Sequence, residues 1–70
     1  MPSRVVTSMT ITYDSRKSWR TAILVVSNGN AKIERGRRGV DGEFTPDKDA
    51  GAPRYVDEAE AHRMAREWVS

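Results

Sequence analysis

Residues 19–35 read WRTAILVVSNGNAKIER, two apolar-rich runs on either side of Asn28-Gly29. A type I′ turn needs φ > 0 at both central residues, and Asn-Gly is the dipeptide that best accepts it. With the turn there, Ser27 faces Asn30, Val26 faces Ala31, Leu24 faces Ile33, Ala22 faces Arg35 and Arg20 faces Arg37. A slip of one residue would turn every side chain to the opposite face. One hairpin face then carries Ala22, Leu24, Val26, Ala31 and Ile33, and is expected to receive a helix. The other carries Trp19, Ile23 and Val25 beside Lys32 and Glu34. It is only half polar, so it is either covered by the following loop or used for binding.

Upstream, Arg4 to Tyr13 alternates with period two and is rich in β-branched residues, which predicts a strand. The polar stretch Asp14 to Ser18 is the reversal into the hairpin. Downstream, residues 36–54 hold four glycines, two prolines and many charges, and read as a loop with room for a short edge strand around Glu43 to Thr45. The last segment is a helix. Asp57 stands at its N-cap with Glu60 three residues on, and Val56 and Ala61 are spaced as a hydrophobic staple. Ala61, Met64, Ala65, Trp68 and Val69 make one apolar stripe. The fold class is therefore α+β: an antiparallel sheet of three strands, with a fourth as an option, packed by one C-terminal amphipathic helix.

Seventy residues form one domain, and a core of that size supplies only about 3–5 kcal/mol. The chain has no cysteine and a single histidine, His62, which excludes a disulfide, a thiolate zinc site and a histidine-based triad with a cysteine nucleophile. His62 falls four residues after Glu58 on what the stripe makes the solvent side of the helix, and reads as a surface pair. Asp47-Lys-Asp-Ala-Gly51 resembles the start of a calcium loop but lacks the third acidic ligand, so a solvated acidic loop is expected there. No cofactor, no metal and no catalytic residue is expected. The opening residues hold no signal-like apolar run, and the longest apolar stretch is too short for a bilayer; a soluble, cytoplasmic protein is the expectation.

Charge is the more informative signal. Net charge is +2, yet residues 1–38 hold eight bases against two acids, a balance of +6, and residues 39–70 hold four bases against eight acids, a balance of −4. Arg16, Lys17, Arg20, Arg37 and Arg38 should gather at the end of the sheet where the Asp14–Ser18 reversal sits, with Arg35 nearby and Lys32 peripheral. Like charges held together repel, and a fold that keeps them suits an anionic partner. The competing reading is that cations at strand ends keep edges soluble. Trp19, at the same end, reads first as a packed residue and second as a stacking platform for a base. Trp68 closes the helix stripe and reads as core.

At Gly36-Arg-Arg-Gly-Val-Asp-Gly42 the spacing G-R-x-G-x-x-G resembles the WGR domain of DNA-dependent poly(ADP-ribose) polymerases and small bacterial proteins. The likeness extends over residues 10–69, with a strand before the motif and an aromatic, a short polar run and an alanine-containing helix after it, as at Tyr55-Val-Asp-Glu-Ala59. Arg35 stands in place of the signature tryptophan, and Arg38 where an aliphatic residue is usual. The resemblance implies DNA binding through the basic strand and loop, with Arg35, Arg37 and Arg38 as contacts. The strand, strand, helix order also resembles the sheet-reading DNA-binding domain of phage integrases.

Two functions follow as expectations. The first is a small non-catalytic DNA- or RNA-binding module contacting phosphates through Arg16, Lys17, Arg20, Lys32, Arg35, Arg37 and Arg38. The second is a protein-interaction module, an inhibitor or adaptor of the phage or mobile-element kind, that uses the Trp19, Ile23 and Val25 face for a partner or for a homodimer.

Overall fold

The computed structural model describes residues 8–70. Five strands, β1 (Met9–Asp14), β2 (Arg20–Ser27), β3 (Asn30–Arg38), β4 (Phe44–Pro46) and β5 (Arg54–Asp57), are followed by one helix, α1 (Glu58–Val69), and a 3₁₀ turn, Lys48–Ala50, separates β4 from β5. The Arg4–Thr7 part of the expected first strand lies outside the described residues. β1, β2 and β3 run antiparallel in sequence order, and β4 and β5 both pair with the far edge of β3. β5 takes Asn30–Ile33 and β4 takes Gly36–Arg38, so two short strands lie end to end along one long one.

The turn behaves as its residues require. Asn28 has φ 55° and Gly29 φ 79°, and the β2–β3 register places Leu24 opposite Ile33 and Arg20 opposite Arg37, as expected from Asn-Gly. The helix-facing side buries Ala22, Leu24, Ala31 and Ile33 against Ala61, Met64 and Ala65. Four of those seven are alanines, which brings the helix backbone close to the sheet. Ile11, Tyr13, Val26, Val56, Trp68 and Val69 seal the rim.

The helix start is tied down twice. Asp57 Oδ1 accepts from the Glu60 amide at 3.3 Å, and the Glu58 amide donates to Gly29 O at 2.9 Å. The Glu60 carboxylate does not reach back to complete a capping box; it accepts from the Arg63 guanidinium instead. That hydrogen bond, with the Arg63 charge, holds the Glu60 carboxyl below the usual range. No helix among the described residues is long and apolar enough to cross a membrane.

The edge strand expected around Glu43 to Thr45 forms as β4, and most of residues 36–54 lies outside strands as expected; in addition β3 runs on through Gly36 to Arg38, and β5 pairs with it from Arg54. Two expectations change. Trp19 is not packed; it is 63% exposed. His62 is not on the solvent side but half-buried beneath Tyr13, whose hydroxyl lies 2.5 Å from Nδ1. His62 Nε2 lies 3.3 Å from Glu58 Oε2. A carboxylate can only accept, so Nε2 donates to Glu58, while Nδ1 and the Tyr13 hydroxyl share the second hydrogen bond. The short chain of hydrogen bonds pins β1 to α1.

Gly36 is where the sheet is tightest. It is buried, its carbonyl accepts from Trp68 Nε1 at 3.0 Å, and an added Cβ would collide with Thr45 O and lie 2.8 Å from the Phe44 ring. A backbone oxygen held in the β3–β4 pairing cannot step aside. Gly36→Ala should cost about 1–3 kcal/mol, read as a fall in the urea midpoint. An unchanged midpoint would mean that β4 is not held against β3 as described.

Candidate nucleic-acid interface

The β1–β2 reversal is organised by two serines. Ser15 Oγ accepts from the amides of Lys17 and Ser18 at 3.2 Å each, and Ser18 Oγ accepts from the Arg20 amide at 3.3 Å. The Ser15 amide closes the turn on Arg20 O at 3.0 Å. With its backbone satisfied from within, the turn leaves Arg16, Lys17 and Trp19 exposed on its outside.

Trp19 is fixed at its backbone although its ring is open. Its carbonyl accepts from the Arg38 amide at 2.8 Å, which extends the β2–β3 ladder and sets Trp19 opposite Arg38 on the face away from the helix. A cleft of about 430 Å³ lies here, lined by residues 14–21 and Arg38. A second, of about 310 Å³, is lined by Trp19, Arg37, Arg38, Gly39, Val40 and Thr45. The indole borders both. The second cleft owes its shape to the β3–β4 turn, where Gly39 N donates to Glu43 O at 2.7 Å and Gly42 adopts φ 86°. Val40 at its tip is 95% exposed.

Arg38 is held on the floor of this end. Its Nε lies 3.6 Å from Asp14 Oδ1, the oxygen that accepts from buried Thr21 Oγ1 at 2.9 Å. At that distance Nε makes no hydrogen bond, although it is shut off from solvent. The Arg38 side chain as a whole stays partly open to solvent and borders the same two clefts as the exposed indole.

The other cations expected at the site divide by face. Arg20, Arg35 and Arg37 share the helix-facing side of the sheet, because they alternate with Thr21, Gly36 and Arg38 in the register. Arg20 stacks over the Trp68 ring at 4.4 Å and donates to Trp68 O at 3.4 Å. Arg35 Nη2 donates to Ala50 O at 2.5 Å and so holds the 3₁₀ turn to the sheet. Arg37 stays exposed, with Nε 3.3 Å from Asp47 Oδ2. Lys32 lies on the outer face opposite Tyr55, six residues along β3 from Arg38, which at strand rise is about 20 Å away. Ile23 is half-buried and Val25 exposed on that same open face.

Tyr55, placed by the sequence only as the aromatic before the helix, is 79% exposed on the outer face. The signal was present: if Val56 faces the core, period two places Tyr55 and Asp57 on the other side. Asp47 Oδ1 caps the 3₁₀ turn through the Asp49 amide at 2.9 Å. Among the described residues no group of three or more histidine, aspartate or glutamate side chains is placed to hold a metal ion. No protein family, characterised protein or solved structure matches the chain.

The two tryptophans should separate cleanly by stability. Trp19→Ala should stay within about 0.5 kcal/mol of the parent, as for an exposed side chain. Trp68→Ala should cost about 3–5 kcal/mol, because it removes rim packing, the bond to Gly36 and the seat of Arg20. Urea unfolding of the two variants checks this, and equal losses would contradict the exposed placement of Trp19.

Proposed function

We propose that this chain is a non-catalytic nucleic-acid-binding module whose contact surface is the Trp19 end of the sheet. The observation that carries the reading is an exposed indole, bordering two clefts, with Arg16, Lys17 and Arg38 around it. Cations at strand ends are explained by solubility alone; a tryptophan 63% open to water among them is not. Arg16 and Lys17 carry no ion pair among the described residues, so their charges are available to a phosphate chain. Arg38 adds donors from the cleft floor and Arg37 lies to one side. Arg20 and Arg35 act indirectly by holding the helix end and the 3₁₀ turn in place.

The division of labour follows from the chemistry. Phosphate contacts by Arg16, Lys17, Arg37 and Arg38 position the ligand without reading sequence, and release counterions as they form. Trp19 offers a face to any unpaired base, since every base has a π-face. Little sequence preference is expected. The G-R-x-G-x-x-G resemblance supports the same end of the molecule, because residues 36–42 span the close of β3 and the turn beside Trp19.

A protein-interaction module is the second reading, favoured by the outer sheet face, where Trp19, Val25 and Tyr55 are exposed around half-buried Ile23. The two differ in salt response, since phosphate binding weakens steeply with salt and apolar burial does not.

Fluorescence anisotropy with short labelled single-stranded DNA, RNA and duplex, over a salt series, tests the proposal. Arg16→Ala with Lys17→Ala, and separately Arg37→Ala with Arg38→Ala, should each lower the slope of log affinity against log salt by about two. Trp19→Ala should weaken binding by about 1–3 kcal/mol and leave the slope unchanged. Affinity that is the same in all variants would overturn the assignment.

A further inference from the structure

The two edges of the sheet are finished differently. The β4–β5 edge is broken by a 3₁₀ turn, carries Pro46 and Pro53, and is flanked by Lys48 and Arg54; these are the devices that stop strands from pairing edge to edge. The opposite edge, β1, has only the charge of Asp14 at its end. Met9-Thr-Ile-Thr-Tyr13 is regular, uncharged and free of proline, and among the described residues nothing pairs with its outer side.

Which backbone groups face outward follows from the ladder. Ser15 N bonds Arg20 O, so Ser15 and Arg20 form a hydrogen-bonded pair, and by alternation so do Tyr13 with Ala22, Ile11 with Leu24 and Met9 with Val26. Thr10 and Thr12 therefore point their amides and carbonyls away from β2. On the helix-facing side of the same strand, Met9 is 62% exposed and Ile11 and Tyr13 only half-covered, because the helix lies chiefly over β2 and β3. An open backbone edge thus coincides with the unsealed flank of the core.

We propose that β1 pairs antiparallel with β1 of a second copy of this chain, about a two-fold axis at Ile11, to form one continuous sheet. The strand is complementary to itself in that register. Residues opposite one another sum to 22, so Thr10 meets the partner's Thr12 and both exchange N–H to C=O bonds through the outward groups identified above. Ile11 meets itself, and Met9 meets the partner's Tyr13 as a sulfur–aromatic contact. Pairs of equal parity keep both helices on one side of the sheet, so the apolar flanks merge into a shared core. No charge opposes a like charge, since the first charged residue, Asp14, falls opposite Ser8. The contact lies apart from the Trp19, Ile23 and Val25 face and does not depend on the nucleic-acid reading.

Sedimentation equilibrium on the full chain tests it, with amide hydrogen exchange by NMR on the same samples. The parent should run at twice the 7.9 kDa chain mass, with Thr10 and Thr12 amides as protected as Ile11 and Tyr13. Thr10→Lys with Thr12→Lys sets lysine opposite lysine across the axis at positions exposed in the single chain. It should sediment as a single chain, keep its circular dichroism, and lose protection at residues 10 and 12 alone. A parent that remains a single chain at millimolar concentration would overturn the proposal. So would a double-lysine variant that still dimerises, or fast exchange at Thr10 and Thr12 in the parent dimer.

Discussion

Everything in this molecule is measured from the turn at Asn28-Gly29. Its two positive φ angles fix Ser27 opposite Asn30, and from there parity assigns each residue of β2 and β3 to one face or the other. The same turn receives the helix, because Gly29 O accepts from the first helical amide. A one-residue slip would bring Thr21 and Ile23 under the helix and turn Leu24 to the open side. It would also move Gly36 from beneath Phe44, where an added Cβ would collide with Thr45 O. β3 then serves as the spine: β2 lies along one edge, and β4 and β5 divide the other.

The core that hangs on this register is small, and alanines let it close. Ala22, Ala31, Ala61 and Ala65 allow the helix to approach, leaving Leu24, Ile33 and Met64 as the bulky apolar interior. Each such side chain contributes about 1.5–3 kcal/mol on burial, so the rim must share the load. It does so with polar handles on amphipathic residues: Trp68 to Gly36 O, Tyr13 to His62, Arg35 to Ala50 O. Arginines that a charge count assigns to a ligand are thereby drawn into the architecture. Two consequences for binding follow. Of the cations assigned to a ligand, Arg16, Lys17 and Arg38 remain around Trp19, and the flank beneath β1 stays unsealed.

The hairpin, its helix-facing residues and the whole apolar stripe of α1 were legible in the sequence, because each rests on a local rule: a turn dipeptide, period two, period 3.6. β5 was not. Arg54-Tyr-Val-Asp57 is four residues long, follows a proline, and forms only because β3 offers an unpaired edge beyond its hairpin partner. The hairpin pattern set Trp19 on the open face, where it lies; its expected packing was not met, because it sits in the reversal just before β2 begins and nothing covers it. His62 was read from the helix alone, whereas its second partner, Tyr13, comes from the other end of the chain. The grouping of the cations was half legible. The register already set Arg20 and Arg35 on the helix side, and parity alone would have separated them from Arg38.

The central claim, that the Trp19 end of the sheet holds a nucleic-acid chain, is tested most directly by an amide and indole NMR titration. Short single-stranded and duplex DNA, and single-stranded RNA, would be added at low and at moderate salt. The account predicts shifts confined to residues 14–21 and 37–42, with the Trp19 indole resonance moving, the Trp68 indole resonance still, and the shifts reversed by salt. Absence of shifts at low salt, or shifts centred on Val25, Lys32 and Tyr55 at the far end of the open face, would contradict it.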